Sequence, residues 1–216
     1  LSSDASIWEM MMALFTGACL YIATDPVKES PDLMAHFIKE NGINVMTLTP
    51  QYAKILIDYI DKLKILITAG AASDSELVEK VTKKGTYINA YGPTEDSICT
   101  TSWIINDSQK GISRIPIGKP IMNKKVHVIS KGRICGIGIV GELYIESDGL
   151  AVGYYNNETL TNEKFITLDD GRRFFKTGDL VRWMPDGNLE FWGRCDSQVK
   201  IRGYRIELGE IENVLK

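Results

Sequence analysis

Between residues 17 and 91 the sequence alternates, and that alternation constrains the fold more than any other feature. Short apolar runs, "CLYIAT", "NVMTL", "LKILITAG" and "TYINA", are separated by segments with helical spacing. "PDLMAHFIKEN" places Pro31 at a helix start and meets Gly42 at its end. Pro50 opens a helix expected to run through Tyr59, and Ser73 with Glu76 has the spacing of a capping box for a helix reaching about Lys84. Ahead of these, Asp4 or Ser6 can cap a helix over Ile7 to Thr16 that Gly17 closes. Alternating short apolar strands and amphipathic helices imply βαβ units and a parallel sheet. In such sheets ligands gather beyond the carboxyl ends of the strands. The loops Thr47–Pro50, Thr68–Ser73 and Ala90–Glu95 are therefore expected on one rim.

After about Arg114 the texture changes. "KVHVIS", "GELYIES", "RRFFKT", "LVRWM" and "NLEFWG" read as strands divided by Gly, Asp and Pro, with "MPDGN" as a turn. The fold class expected is α/β: a parallel βαβ sheet subdomain, then a small antiparallel β-barrel subdomain, then the start of a small α+β C-terminal domain. The corresponding divisions are 1–113, 114–195 and 196–216, the last opening with "QVKIRGYRIE" as a strand pair and "LGEIENVLK" as the beginning of a helix.

Composition removes several function classes. Hydrophobic residues make up 44% and charged ones 25% of 216 residues, with a net charge of −3. A chain of this balance lacks the basic face that nucleic acid or an anionic membrane would require. No apolar run approaches the roughly 18 residues of a membrane span. Cys19, Cys99, Cys135 and Cys195 form no C-x-x-C pair, which suits reduced thiols in a cytoplasmic protein better than a disulfide framework or a zinc site. The two histidines, His36 and His127, have no obvious catalytic partner nearby in sequence. The chain begins with Leu and ends within a helical pattern, as a piece of a longer protein would.

Three segments carry chemistry. In "INAYGPTEDSICTT" an apolar strand ends at a Gly92-Pro93 turn that can aim backbone N–H groups at an anion. Thr94 adds a hydroxyl, Glu95 a hard oxygen ligand suited to Mg²⁺, and Tyr91 a flat face for a base. The same stretch also fits a surface turn that merely caps the sheet. In "KTGDL" the Asp179 carboxylate can accept from a sugar diol or satisfy its own turn. In "GRCDSQVKIRGYRIELGEIE" basic residues interleave with apolar ones before an acidic helix start.

In this order, "NAYGPTE", "KTGDL" and "GRCDSQVKIRGYRIELGEIE" resemble the core motifs of the adenylate-forming enzymes, and most closely the amino-acid adenylation domains of nonribosomal peptide synthetases. "GELYIESDGLAVGYYNNETLTNEKF" is similar to another motif of those domains, so the likeness covers essentially the whole chain. It implies that Tyr91 stacks on adenine, with Gly92 in its turn, and that Asn89 or the backbone beside it reads the base edge. Thr94 contacts the α-phosphate and Glu95 helps hold Mg²⁺, these two being the catalytic pair. Asp179 takes the ribose hydroxyls with Arg194 close by, and Phe191 supplies an aromatic wall where the family often has Tyr. Asp196 is the hinge. Lys200, Arg202 and Gly203 lie on a segment that moves for the second half-reaction. The implied partners are an amino acid, ATP or AMP, and the phosphopantetheine arm of a peptidyl carrier protein.

"SSDASIWEM" resembles the segment that opens the family's substrate pocket. On that likeness Asp4, Ala5, Trp8, Thr47, Ile67, Ala69, Ala90, Ile98 and Cys99 line it, and Asp4 pairs with the substrate α-ammonium. The remainder is apolar or small, which is the family's phenylalanine-type pattern. Such a pocket rejects tyrosine by only about 10²-fold or less. Ser3 and Val152 depart from the family's usual Phe and Arg. The phosphate-handling loop and the terminal catalytic Lys have no match here, so the piece alone is expected to be inactive. A standalone carrier-protein or acyl-CoA ligase, or a non-catalytic ligand-binding scaffold, are the alternatives.

Overall fold

The computed structural model describes residues 4–60, 62–106, 114–196, 198–201, 204–206 and 215. Packing divides the chain into two units, Leu1–Asn89 with Ile104–Ile115, and Ala90–Trp103 with Pro116–Lys216.

The first unit opens with α1 (Ala5–Phe15), which starts two residues earlier than its apolar spacing suggests. Of the two candidate caps, Asp4 is used, its Oδ1 accepting from the Ala5 N–H at 2.8 Å. "CLYIAT" is not a strand: residues 19–24 are irregular, and Ile22 is 80% exposed while Tyr21 sets its ring edge-on to Phe37. An apolar run without a ladder to join or a face to bury gains nothing from strand geometry. A short helix that the sequence did not suggest, α2 (Asp25–Glu29), follows with Pro26 in its first turn, then α3 (Pro31–Glu40).

The parallel ladder is as expected. β1 (Val45–Leu48), β2 (Ile65–Thr68) and β3 (Thr86–Tyr91) align so that Leu48 sits beside Thr68 and Thr68 beside Asn89. Leu48 and Thr68 are the carboxyl ends of β1 and β2, and β3 runs two residues past Asn89 to Tyr91. Between the strands run α4 (Pro50–Leu56), prolonged by a tighter turn at Ile57–Tyr59, and α5 (Ser75–Thr82). The cap of α5 is Asp74, whose Oδ1 accepts from Leu77 N at 3.0 Å, so the expected Ser73–Glu76 box is not what closes it. A carboxylate caps at least as well as a hydroxyl and adds charge at the positive end of the helix dipole. Leu56, Leu66, Leu77, Val81 and Tyr87 are fully buried.

In the second unit, Thr101 and Ser102 of β4 (Thr101–Ile105) pair antiparallel with β5 (Lys119–Pro120). An antiparallel sheet then forms from β6 (Lys124–Ser130), β7 (Arg133–Ile134), β8 (Gly141–Ser147), β9 (Phe165–Thr167), β10 (Arg173–Trp183) and β11 (Leu189–Arg194), with α6 (Glu158–Lys164) leading into β9. The spatial order is β11-β10-β8-β6-β7, and β9 lies on β10. Alternate residues Leu143 and Ile145 of β8 point inward with Val128, Phe175, Val181 and Leu189, giving this sheet its apolar core. "RRFFKT" and "LVRWM" are one strand, not two. The Thr177-Gly178 step between them is a bulge: β10 pairs Lys176 with Tyr144 and then Leu180 with Glu142. β12 (Val199–Ile201) and β13 (Tyr204–Ile206) pair antiparallel as read from the sequence. Arg202, Gly203 and the helix expected over "LGEIENVLK" lie outside the described residues, apart from Leu215.

Candidate nucleotide and amino-acid sites

The loop after β3 is folded back on itself. Thr100 N donates to Tyr91 O at 2.8 Å, closing an excursion over residues 92–99 at its own strand end. Gly92 makes this possible: a Cβ there would come within 2.7 Å of Thr100 N and still closer to Ile98 O. Thr94–Asp96 then form one 3₁₀ turn, after which Ser97 and Ile98 both take positive φ, 54° and 75°. For a β-branched residue such as Ile98 that conformation is strained, and it persists only where surrounding contacts over-determine it.

Those contacts are specific. Asp96 is 0% exposed, and Lys124 of β6 donates to its Oδ1 at 2.7 Å and to its carbonyl at 2.9 Å, while Thr100 Oγ1 donates to Oδ2 at 2.7 Å. Ser97 Oγ donates to Gly149 O at 2.7 Å. Ala151 N donates to Glu95 O at 2.8 Å, and the Tyr154 hydroxyl to Glu95 Oε1 at 2.7 Å. Thr94 is exposed. Glu95, read from the sequence as a Mg²⁺ ligand, is 6% exposed and shares its carboxylate with Tyr154.

Asp179 is placed by the β10 bulge. Gly178 has φ 75° and donates to Glu142 Oε1 at 3.0 Å, Thr177 Oγ1 reaches Leu143 O at 2.8 Å, and Asp179 N returns to Thr177 Oγ1 at 2.9 Å. The buried Asp179 carboxylate accepts from the Tyr91 hydroxyl on one oxygen and from Arg194 Nη1 at 2.7 Å on the other. Arg194 is opposite Asp179 in the β10–β11 register and also forks onto Asp196, Nε to Oδ1 and Nη2 to Oδ2, both at 2.6 Å. Burial works against the Arg194 charge, but Asp196 and Asp179 override it and raise its pKa further. Burial likewise opposes the Asp196 charge, and Arg194 nonetheless holds that carboxyl below the ordinary range. Burial, the Asp179 charge and their hydrogen bond push the Tyr91 hydroxyl well above its usual value. Phe191 and Tyr91 pack against the same apolar core.

The structure therefore joins Tyr91, Asp179, Arg194 and Asp196, which are far apart in sequence, into one chain of hydrogen bonds, and it ties Glu95 to Tyr154. Asn89, in the first unit, is buried, its Oδ1 3.4 Å from the Thr68 hydroxyl that also meets Tyr87. Tyr154, Asp96, Lys124 and Thr177 were not singled out from sequence. Only the aromatic pair in "VGYY" hinted at the first.

Of the residues expected to line the amino-acid pocket, the first unit holds Asp4 at the cap of α1, Ala5 and Trp8 on α1, Thr47 on β1, Ile67 on β2 and Ala69 just after it. Trp8 Nε1 donates to Thr47 Oγ1 at 3.1 Å, and Thr47 is the register neighbour of Ile67. The second unit holds Ala90, Ile98 and Cys99. Cys99 is buried, and loss of water pushes its thiol pKa up to about 11, so it is a wall rather than a nucleophile. All four cysteines are free thiols.

As to metal, the described residues gather no cluster of three or more His, Cys, Asp or Glu side chains. Mg²⁺ ordinarily takes one or two protein carboxylates and completes its shell with phosphates and water. A single carboxylate oriented by Tyr154 fits that requirement, and Glu95 is such a group. Among the described residues no helix is long and apolar enough to cross a membrane.

A parallel ladder followed by an antiparallel sheet, with a glycine-dependent loop after the third strand, is the frame of an AMP-binding enzyme. Residues 1–155 match that family, and the chain belongs to it. Along its whole length it is similar to part of tyrocidine synthase 1 of Brevibacillus parabrevis, with 47% identity over 219 residues, and it spans 20% of that protein. Among solved structures it is similar to the Vibrio cholerae adenylation domain AlmE in complex with glycyl-adenosine-5′-phosphate: TM-score 0.88, 30% identity, 100% of this chain and 43% of that one. It is also similar to NpsA-ThdA, an artificially fused adenylation–PCP di-domain from Klebsiella oxytoca, at TM-score 0.86 and 29% identity, covering 100% of this chain and 42% of that one. The chain spans about a fifth or less of the length of the curated relatives it matches.

Proposed function

We propose that this chain is the part of an amino-acid adenylation domain that binds adenosine and selects the amino acid, within a longer protein that activates phenylalanine. The amino-acid carboxylate attacks the α-phosphorus of ATP, the bond to the β-phosphate oxygen breaks, and pyrophosphate leaves. The aminoacyl-adenylate then passes its acyl group to the phosphopantetheine thiol of a carrier protein, and AMP departs. Catalysis of this kind rests on positioning and charge stabilisation and needs no protein nucleophile.

The observation that carries the reading is the Tyr91–Asp179 hydrogen bond, which brings the "AYGPTE" and "KTGDL" segments together across 88 residues. An aromatic face and a carboxylate, side by side, suit adenine and the ribose diol. Thr94, exposed on the adjoining turn, donates to an α-phosphate oxygen. Glu95 would hold Mg²⁺, which when bound neutralises charge growing on the phosphoryl oxygens. Asp4 takes the α-ammonium. The other residues expected to line the pocket, Trp8, Ile67 and Ile98 with small Ala5, Ala69 and Ala90, are of the apolar kind that suits an aromatic side chain. The AlmE complex, with its aminoacyl-adenylate ligand, supports the reaction class, and the di-domain supports a carrier partner.

Amino-acid-dependent ATP–pyrophosphate exchange by the complete protein tests this. Phenylalanine should support the fastest exchange. A preference for carboxylic acids without an α-amino group would refute the amino-acid assignment.

A further inference from the structure

The Asp96–Lys124 pair is unusual in being almost wholly removed from water, the two side chains being 0% and 10% exposed. Burying both charges costs more than an exposed pair returns, so the arrangement is not explained by stability alone. Its position supplies an explanation. Asp96 ends the 3₁₀ turn bearing Thr94 and Glu95, and it immediately precedes the left-handed Ser97 and Ile98. Lys124 binds the Asp96 carboxylate and carbonyl together, and Thr100, on the far side of the strained step, binds the other carboxylate oxygen. The ammonium also passes close to the next clamp. A Cβ on Gly149 would lie 2.7 Å from Lys124 Nζ, and the Gly149 carbonyl accepts from Ser97.

We infer that Lys124 is a positioning residue: from β6, outside the loop, it fixes the 94–100 backbone so that Thr94, Glu95 and Ile98 keep one geometry. The assignment rests on the proposed adenylation reaction only for its consequence in catalysis. Its structural half stands on the loop itself. An ammonium that holds the Asp96 carbonyl and Oδ1, with Thr100 on Oδ2, turns a strained segment into a single conformer. That gives an electrostatic lock on the segment holding the inferred phosphate, metal and side-chain contacts at once.

The test uses the complete protein carrying Lys124→Met alone and with Asp96→Asn. The single variant leaves an unpaired buried carboxylate and should lose thermal stability. The double variant removes both charges and should regain it. With melting restored, the double variant should still exchange backbone amides over residues 92–100 about tenfold faster than wild type, and its kcat for pyrophosphate exchange should fall by about 10²-fold, with little change in KM for the amino acid, as expected for displaced reacting groups. Wild-type amide protection over 92–100 in the restored double variant would overturn the inference. So would a wild-type kcat in the double variant, given a wild-type protein that shows the exchange reaction. If the wild-type protein shows no amino-acid-dependent exchange, the proposed function falls, and amide protection alone decides the role of Lys124.

Discussion

Replacing Tyr91 by phenylalanine keeps the ring and removes one oxygen, and the structure says what that oxygen does. It donates to Asp179, a carboxylate 4% exposed whose other oxygen is held by Arg194. A hydrogen bond to a charged group contributes about 1.5–3 kcal/mol. For a chain of this size each kcal/mol moves the melting midpoint by about 2–4 °C, so Tyr91→Phe should lower it by about 3–12 °C. Nucleotide binding should behave differently. The flat face proposed for adenine survives, and the Asp179 oxygen released by the lost hydroxyl becomes available to a ribose diol. Affinity for AMP should therefore be unchanged or higher. Differential scanning fluorimetry and calorimetric titration of the complete protein measure the two quantities. An unchanged melting midpoint together with a tenfold or greater loss of AMP affinity, about 1.4 kcal/mol, would refute the reasoning, because it would assign the hydroxyl to the ligand instead of to Asp179.

Other outcomes follow from single contacts. Gly92→Ala places a methyl against the Ile98–Thr100 backbone and should cost about 1–3 kcal/mol, read as a lower urea midpoint, whereas Gly136→Ala, with open space around its Cα and no left-handed backbone to strain, should cost less. Asp196 has its folded carboxyl pKa depressed, so the Arg194 fork contributes stability above the ordinary Asp range near about pH 4 and loses it as pH falls through the lower folded value. Asp196→Asn should flatten that acid limb, and an unaltered pH profile would contradict the pairing. Thr47→Val removes the acceptor of Trp8 Nε1 and should lower stability by about 0.5–1.5 kcal/mol while raising KM for the amino acid more than KM for ATP.

Much of the frame was legible because it is periodic. β6 and β8 were read nearly to their ends, and the parallel register of β1, β2 and β3 follows from alternating elements. What failed was local competition between similar signals. "CLYIAT" looks like a strand, but its exposed Ile22 and the Tyr21–Phe37 contact show apolar residues used without a ladder. Ser73 and Asp74 are adjacent, both able to cap, and the choice depends on helix phase. The Thr177-Gly178 step reads as a turn because glycine marks both turns and bulges, and only the partner strand distinguishes them. At the candidate site the motifs named Tyr91, Asp179 and Arg194, but no spacing links Glu95 to Tyr154, 59 residues away, or Asp96 to Lys124, 28 residues away. Such pairs follow from tertiary approach and have no period.

The account is tested most directly by a crystal structure of the complete protein with AMP and phenylalanine. It predicts adenine on the Tyr91 face, the ribose hydroxyls on Asp179 and the α-ammonium on Asp4. Adenosine bound away from Tyr91 and Asp179, or an amino acid whose ammonium ignores Asp4, would contradict it.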